Sequence, residues 1–179
     1  MNTANKITLF RVVLIPVFLF LAYTGRMPFA FAVFVLASLS DMLDGYVARH
    51  YDQITNFGKF MDPLADKVLV MAAMCFFVEC GRMPGWGLAV VLLREFAVSG
   101  LRLIAVERQR VIAAAPSGKI KTAATMVCLA LMLLVPAPGV GDSAPDLTAQ
   151  LSSAVIVLTT VYSGAEYFVK NRDVFKDVD

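Results

Sequence analysis

Four aspartates, Asp41, Asp44, Asp62 and Asp66, fall within a short stretch of a chain that is otherwise strongly apolar. Carboxylates in a hydrocarbon setting are costly, so a cluster of them there marks a functional site by default. Asp41, Asp44, Gly45 and Ala48 stand at i, i+3, i+4 and i+7, which is one helical face. Gly58, Asp62 and Asp66 stand at i, i+4 and i+8, again one face. Only a short polar turn, His50 to Asn56, separates the two segments. The helices are therefore expected to be antiparallel neighbours whose acidic faces look into one cavity. Four carboxylates repel one another unless cations sit among them. An all-oxygen set without His or Cys favours Mg2+ or Mn2+. Four acids can hold a pair of such ions, the arrangement that clamps attacking and leaving oxygens in phosphoryl transfer.

The neighbours of the aspartates fit that chemistry. Gly45, Ala48 and Gly58 leave room for a bulky ligand to approach the backbone; close helix packing is their other reading. Arg49 can neutralise a phosphate by bidentate contact. Asp52 reads as a solvated helix end, but Asp41 does not, because apolar residues 29–39 lead directly into it.

A second, basic constellation lies downstream in R94-E95-F96-A97-V98-S99-G100-L101-R102 and S117-G118-K119-I120-K121-T122. Arg94 and Arg102 are eight apart, roughly on one helical stripe. Arg94 is deep in an apolar run and needs a counter-charge or an anionic ligand. Lys119 and Lys121 open a helix after Pro116, where free backbone N–H groups and the positive dipole end favour anions. These groups could hold a second phosphate. The alternative is that Arg94 pairs with Glu95 or an aspartate of the motif, while Lys119 and Lys121 snorkel at the interface.

The elements that must position these groups are membrane helices. Of 179 residues, 59% are hydrophobic and only 17% charged, against nearer half and a quarter in soluble domains. Mean hydropathy is +0.72. The sequence predicts an all-α integral membrane protein, one catalytic domain over 1–179, with six transmembrane helices at about 6–24, 28–50, 57–80, 86–108, 117–135 and 147–170. Gly25-Arg26-Met27-Pro28, Gly81 to Gly85 and the Pro/Gly-rich stretch 136–145 are breaks. Cys75, Cys80 and Cys128 lack ligand spacing and read as small packers. His50, the sole histidine, cannot build a zinc site alone. The first apolar run carries Arg11 and Pro16 and has no Ala-x-Ala exit, which argues against a cleavable signal peptide.

Charge gives orientation. The 1–2, 3–4 and 5–6 loops carry only Arg26 and Arg82 among 16 Lys and Arg. The positive-inside rule puts both termini and the acidic motif on the cytoplasmic side.

The pattern D41-x2-D44-G45-x2-A48-R49-x8-G58-x3-D62-x3-D66 resembles, at every position, the signature of the CDP-alcohol phosphotransferase family. That resemblance implies a six-helix membrane enzyme, usually a homodimer, which displaces CMP from a CDP-linked substrate with an alcohol. It implies metal binding by Asp41, Asp44, Asp62 and Asp66, with Asp66 also the general base on the acceptor hydroxyl. It places Gly45, Arg49 and Thr55 along the nucleotide and pyrophosphate site, where the spacing also puts Ala48 and Gly58. A carboxylate near an alcohol can accept its proton as the oxygen attacks phosphorus, and metals stabilise the leaving phosphate.

NKITLFRVVLIPVF, FGKFMDPLADKVLV and REFAVSGLR…VIAAAPSGKIKT are similar to the branch of that family that uses sn-glycerol 3-phosphate. The similarity spans residues 5–125. It implies CDP-diacylglycerol as donor, in a bacterial inner membrane, with Arg94, Arg102 and Lys119 clamping the acceptor phosphate. One departure is Pro116, where a small or polar residue is expected before Ser-Gly-Lys. Asn5 and Thr8 fit a helix start or a nucleotide contact. Competing readings are a relative with another acceptor, inositol phosphate or phosphatidylglycerol, and a divalent-cation transporter using the aspartates as its path. Against transport, the outer halves of the helices lack acids apart from Glu79 and Glu166 near or toward their ends. Membrane lipids are expected partners and nucleic acid is not.

Overall fold

A computed structural model describes the backbone of residues 3–50, 56–107, 115–135 and 147–172, and the side chains of 9–40, 67–106, 115–135 and 147–172. The described residues form six α-helices and no strand: α1 (Thr3–Tyr23), α2 (Met27–His50), α3 (Asn56–Glu79), α4 (Gly85–Glu107), α5 (Pro116–Leu134) and α6 (Leu147–Lys170). These are the six predicted elements, with ends within a few residues of those expected.

The turns that separate them follow from local chemistry. Gly25 and Gly81 both have positive φ, 73° and 70°, a conformation glycine adopts without penalty. At the first, Arg26 N–H bonds Leu21 O at 2.9 Å and Gly25 N–H bonds Ala22 O at 3.1 Å; Arg82 to Phe77 O (2.9 Å) and Gly81 to Val78 O (3.1 Å) repeat the pattern. This is the Schellman closure of a helix, satisfying carbonyls that would otherwise be orphaned. In each turn the proline three residues on prevents the old helix from continuing. At α5, Pro116 is in the first helical turn, where its missing N–H costs nothing.

α1 packs on α2 and α3, α5 on α6 and α2, and α4 on α6. The core is a continuous stack that includes Phe18, Phe34, Phe76, Phe77, Leu129 and Ile156, all buried. A smaller cluster of Val98, Leu101 and Tyr167 joins α4 to α6 near the end that carries the basic residues.

The burial pattern of α6 is consistent with a membrane helix. Its buried face is Ala149, Ser152, Ser153, Ile156, Thr160, Ser163, Gly164 and Tyr167. Its exposed face carries Leu147, Leu151, Leu158, Val161 and Val169. Small and hydroxylated residues inside with large aliphatics outside is the pattern of a helix packed in lipid, the reverse of an amphipathic helix in water.

Six spans were expected; among the described residues two helices, α5 and α6, are long and apolar enough to cross a membrane, consistent with a membrane protein. The parts of α1 and α2 whose side chains are described, Leu9–Tyr23 and Met27–Ser40, are apolar as well. The middle of α4 is interrupted by Arg94, Glu95 and Arg102.

Candidate active site

The last turns of α2 hold Asp41, Asp44, Gly45, Ala48 and Arg49, and the first turns of α3 hold Gly58, Asp62 and Asp66. α2 and α3 pack together, so the backbone puts both halves of the motif at one end of the bundle. The side chains of these residues, and Thr55 entirely, lie outside the described residues, as do Asn5 and Thr8 on α1. The donor set on these two helices is all carboxylate, which suits Mg2+ or Mn2+. Among the described residues, no group of three or more His, Cys, Asp or Glu side chains could hold a metal.

The basic constellation is described in full and converges on one carboxylate. Arg94 Nη1 donates to Glu95 Oε1 at 2.9 Å, and Lys121 Nζ donates to the same oxygen at 2.7 Å. Lys67 Nζ stands 3.8 Å from Glu95 Oε2 and donates to Ser99 Oγ at 2.7 Å. Three cations from α3, α4 and α5 thus surround one acid. The side chains of Arg94, Glu95 and Lys121 are 13%, 14% and 7% exposed, too buried for water to screen their charges well.

Arg94 is held on its other flank by α6. Its Nη2 donates to Ser163 Oγ at 2.6 Å. A Cβ on Gly164 would meet Arg94 Cγ at 3.2 Å, and one on Gly118 would lie 3.6 Å from Nη2. The guanidinium therefore runs through a slot that opens where α5 and α6 each present a glycine. Its Nε is buried without a hydrogen-bond partner among the described residues.

The three clamp residues expected from sequence separate in the structure. Arg94 lies at the heart of the cluster. Arg102 engages α6 farther along, with Nε donating to Tyr167 Oη at 3.1 Å and its charge 5.6 Å from that ring's centre, a cation–π contact. Both arginines face α6, as their eight-residue spacing implied. Lys119 is exposed, whereas Lys121 is buried and reaches Glu95. The Arg94–Glu95 pairing considered as an alternative is present, but within a larger cluster.

Lys67 and Ser163 are members with no role in the sequence reading, which has Glu95 only as a partner of Arg94. A signal for Lys121 exists: Ser117, Lys121, Thr125, Cys128 and Met132 are buried along one stripe of α5. Ser163 carries little signal of its own, because Thr159, Thr160 and Tyr162 just before it make the stretch mixed rather than apolar. Arg11, on the α1 face shared with Ile15, Phe18 and Ala22, is also fully buried. A groove of about 460 Å³ runs between α5 and α6 beside the cluster, with Ser117, Lys121, Tyr162 and Glu166 among its walls.

The family described as CDP-alcohol phosphatidyltransferase matches residues 1–163. A Bacillus subtilis protein named CDP-diacylglycerol–glycerol-3-phosphate 3-phosphatidyltransferase is 43% identical, over 98% of this chain and 97% of its own length. A Rickettsia typhi protein of the same name is 32% identical, over 93% of this chain and 95% of its own. A Mycobacterium tuberculosis protein named probable phosphatidylglycerophosphate synthase is 37% identical, over 94% of this chain and 81% of its own.

Proposed function

Because this chain belongs to the CDP-alcohol phosphatidyltransferase family, we propose that it transfers the phosphatidyl group of CDP-diacylglycerol to sn-glycerol 3-phosphate, giving phosphatidylglycerol phosphate and CMP. The observation that carries this reading is the match, along nearly the whole chain, to relatives named for that reaction. The buried basic cluster around Arg94 supports it, since an acceptor that carries its own phosphate needs cations separate from those on the pyrophosphate.

In this reading all six helices span the bilayer, the chain pairs as a homodimer, and the acidic end of the bundle faces the cytoplasm of a bacterial inner membrane. The acyl tails stay in lipid while the CDP head enters the cavity at that end. Asp41, Asp44, Asp62 and Asp66 would hold Mg2+ or Mn2+. When bound, these ions supply positive charge to the pyrophosphate and its leaving group. Gly45, Ala48, Arg49, Thr55 and Gly58 receive the nucleotide and pyrophosphate. Arg94 would meet the acceptor phosphate from the buried cluster it shares with Lys121, with Arg102 and Lys119 adding charge from farther out. Asp66 takes the proton of the glycerol 1-hydroxyl as its oxygen attacks the phosphatidyl phosphorus. The bond from that phosphorus to the CMP oxygen breaks, and CMP departs.

The test is CMP release by the purified protein from CDP-diacylglycerol across a panel of acceptors. Turnover with sn-glycerol 3-phosphate, lost in EDTA and restored by Mg2+ or Mn2+, is the expected result. Preference for inositol phosphate or phosphatidylglycerol would overturn the choice of acceptor. Full activity in chelator would remove the metal.

A further inference from the structure

We infer that Glu95 is a positioning residue: it holds Arg94 and Lys121 together as one anion clamp and ties that clamp to the helical turn of α3 that carries Asp66. This rests on the acceptor proposed above, since the clamp is useful only to a substrate that brings its own phosphate.

The geometry is specific. One oxygen, Oε1, receives both Arg94 from the same helix and Lys121 from α5, at 2.9 and 2.7 Å. The other oxygen faces Lys67 at 3.8 Å. Lys67 directly follows Asp66 in sequence, and its ammonium is fixed a second time by Ser99 of α4, at 2.7 Å. The carboxylate is thus where α3, α4 and α5 are joined at the level of the clamp. Without it, two buried cations would face each other in a poorly screened interior and separate.

Charge counting points the same way. Among the described residues the cluster holds three cations and one anion, a surplus that matches a phosphate dianion. A carboxylate beside an anion site lowers anion affinity by charge alone. Its place at the centre of the three cations is explained by what it does to their geometry, because fixed donors lose less order on binding than free ones. The two roles predict opposite signs. As a mere counter-charge, Glu95 would weaken phosphate binding and its removal would tighten it. As a positioning group, its removal loosens the clamp and weakens binding.

The experiment is steady-state kinetics of the full-length protein, with both substrates varied, for wild type, Glu95→Gln and Glu95→Asp. We expect Glu95→Gln to raise the KM for sn-glycerol 3-phosphate at least tenfold and leave that for CDP-diacylglycerol within about twofold. Glu95→Asp, which keeps the charge on a shorter arm, should fall between. A purely structural ion pair would lower thermal stability in detergent and move both KM values together or neither. An acceptor KM that is unchanged or lower in Glu95→Gln overturns the inference. If that variant does not insert, Glu95→Asp decides it: a selective rise in acceptor KM supports the role, and an unchanged value overturns it. Wild-type protein that is silent with sn-glycerol 3-phosphate but active with another acceptor would overturn the choice of acceptor instead. Glu95 then keeps its role only if Glu95→Gln raises the KM for that other acceptor in the same way.

Discussion

Arg82 and Arg94 are both arginines withdrawn from solvent in an apolar bundle, yet they are held in different ways. Arg82 leaves the Gly-Arg-Met-Pro turn and points at the end of α5. Its Nη1 donates to Met132 O at 2.6 Å and approaches Val135 O at 3.5 Å, and its charge lies 5.5 Å from the centre of the Phe77 ring. These two acceptors are backbone carbonyls at a helix C-terminus, where a cation also complements the dipole. Neither can move away without unwinding the helix. Arg94 is held instead by two side chains, Glu95 and Ser163, in a cluster that among the described residues has three cations to one anion. One arrangement finishes a helix end; the other joins side chains of three helices around one carboxylate. Burial of a cation thus says little about its role until its partners are known.

The sharpest way to break that contrast is to truncate both arginines. If Arg94 meets the acceptor phosphate as proposed, Arg94→Ala removes a charge-assisted contact to it. Loss of such a contact costs on the order of 3 kcal/mol, so the acceptor KM should rise by about a hundredfold. The KM for CDP-diacylglycerol should move far less. Equal rises for both substrates would mean that Arg94 serves the bundle rather than the acceptor.

Arg82→Met should do the opposite. The apolar arm is kept, but the carbonyls of Met132 and Val135 lose a charged donor. A hydrogen bond to a charged group is worth about 2 kcal/mol, so thermal unfolding in detergent should shift downward by a corresponding amount. Turnover and both KM values at low temperature should stay near wild type. A selective change in acceptor KM here would erase the distinction between the two arginines. Arg26, in the other Gly-Arg-Met-Pro turn, is exposed, so the turn sequence alone does not dictate where its arginine goes.

The contrast also marks what a sequence reading can reach in this fold. Helix ends were legible because Gly25 and Gly81 must adopt positive φ and the prolines after them stop propagation. The acidic motif was legible because its residues recur at helical spacing on two segments joined by a short turn. The rotation of α5 was harder. Lys119 and Lys121 differ by about 200° around a helix, and in lipid both faces of a helix are apolar, so the usual alternation of polar and apolar positions fades. Packing on α6 and α2 fixes the rotation and turns Lys121 inward. Glu95 was legible as a partner for Arg94 but not as the junction of three helices, because Lys67 and Lys121 are far from it in sequence. The outward Leu and Val of α6, against its inward Ser and Thr, follow the same logic: the polar side of a lipid-packed helix is a packing side.

The smallest expected effect tests how rigid the Arg94 side must be. Ser163 Oγ accepts from Arg94 Nη2 at 2.6 Å, while the glycine slot restrains the side chain independently. Ser163→Ala removes one hydrogen bond and adds no bulk. A net cost of about 1 kcal/mol corresponds to a rise of about fivefold in acceptor KM, with kcat nearly unchanged. If the rise equals that of Arg94→Ala, Ser163 and not the slot fixes the guanidinium. If there is none, Glu95 and the two glycines suffice, and the difference between the two arginines narrows to a single carboxylate.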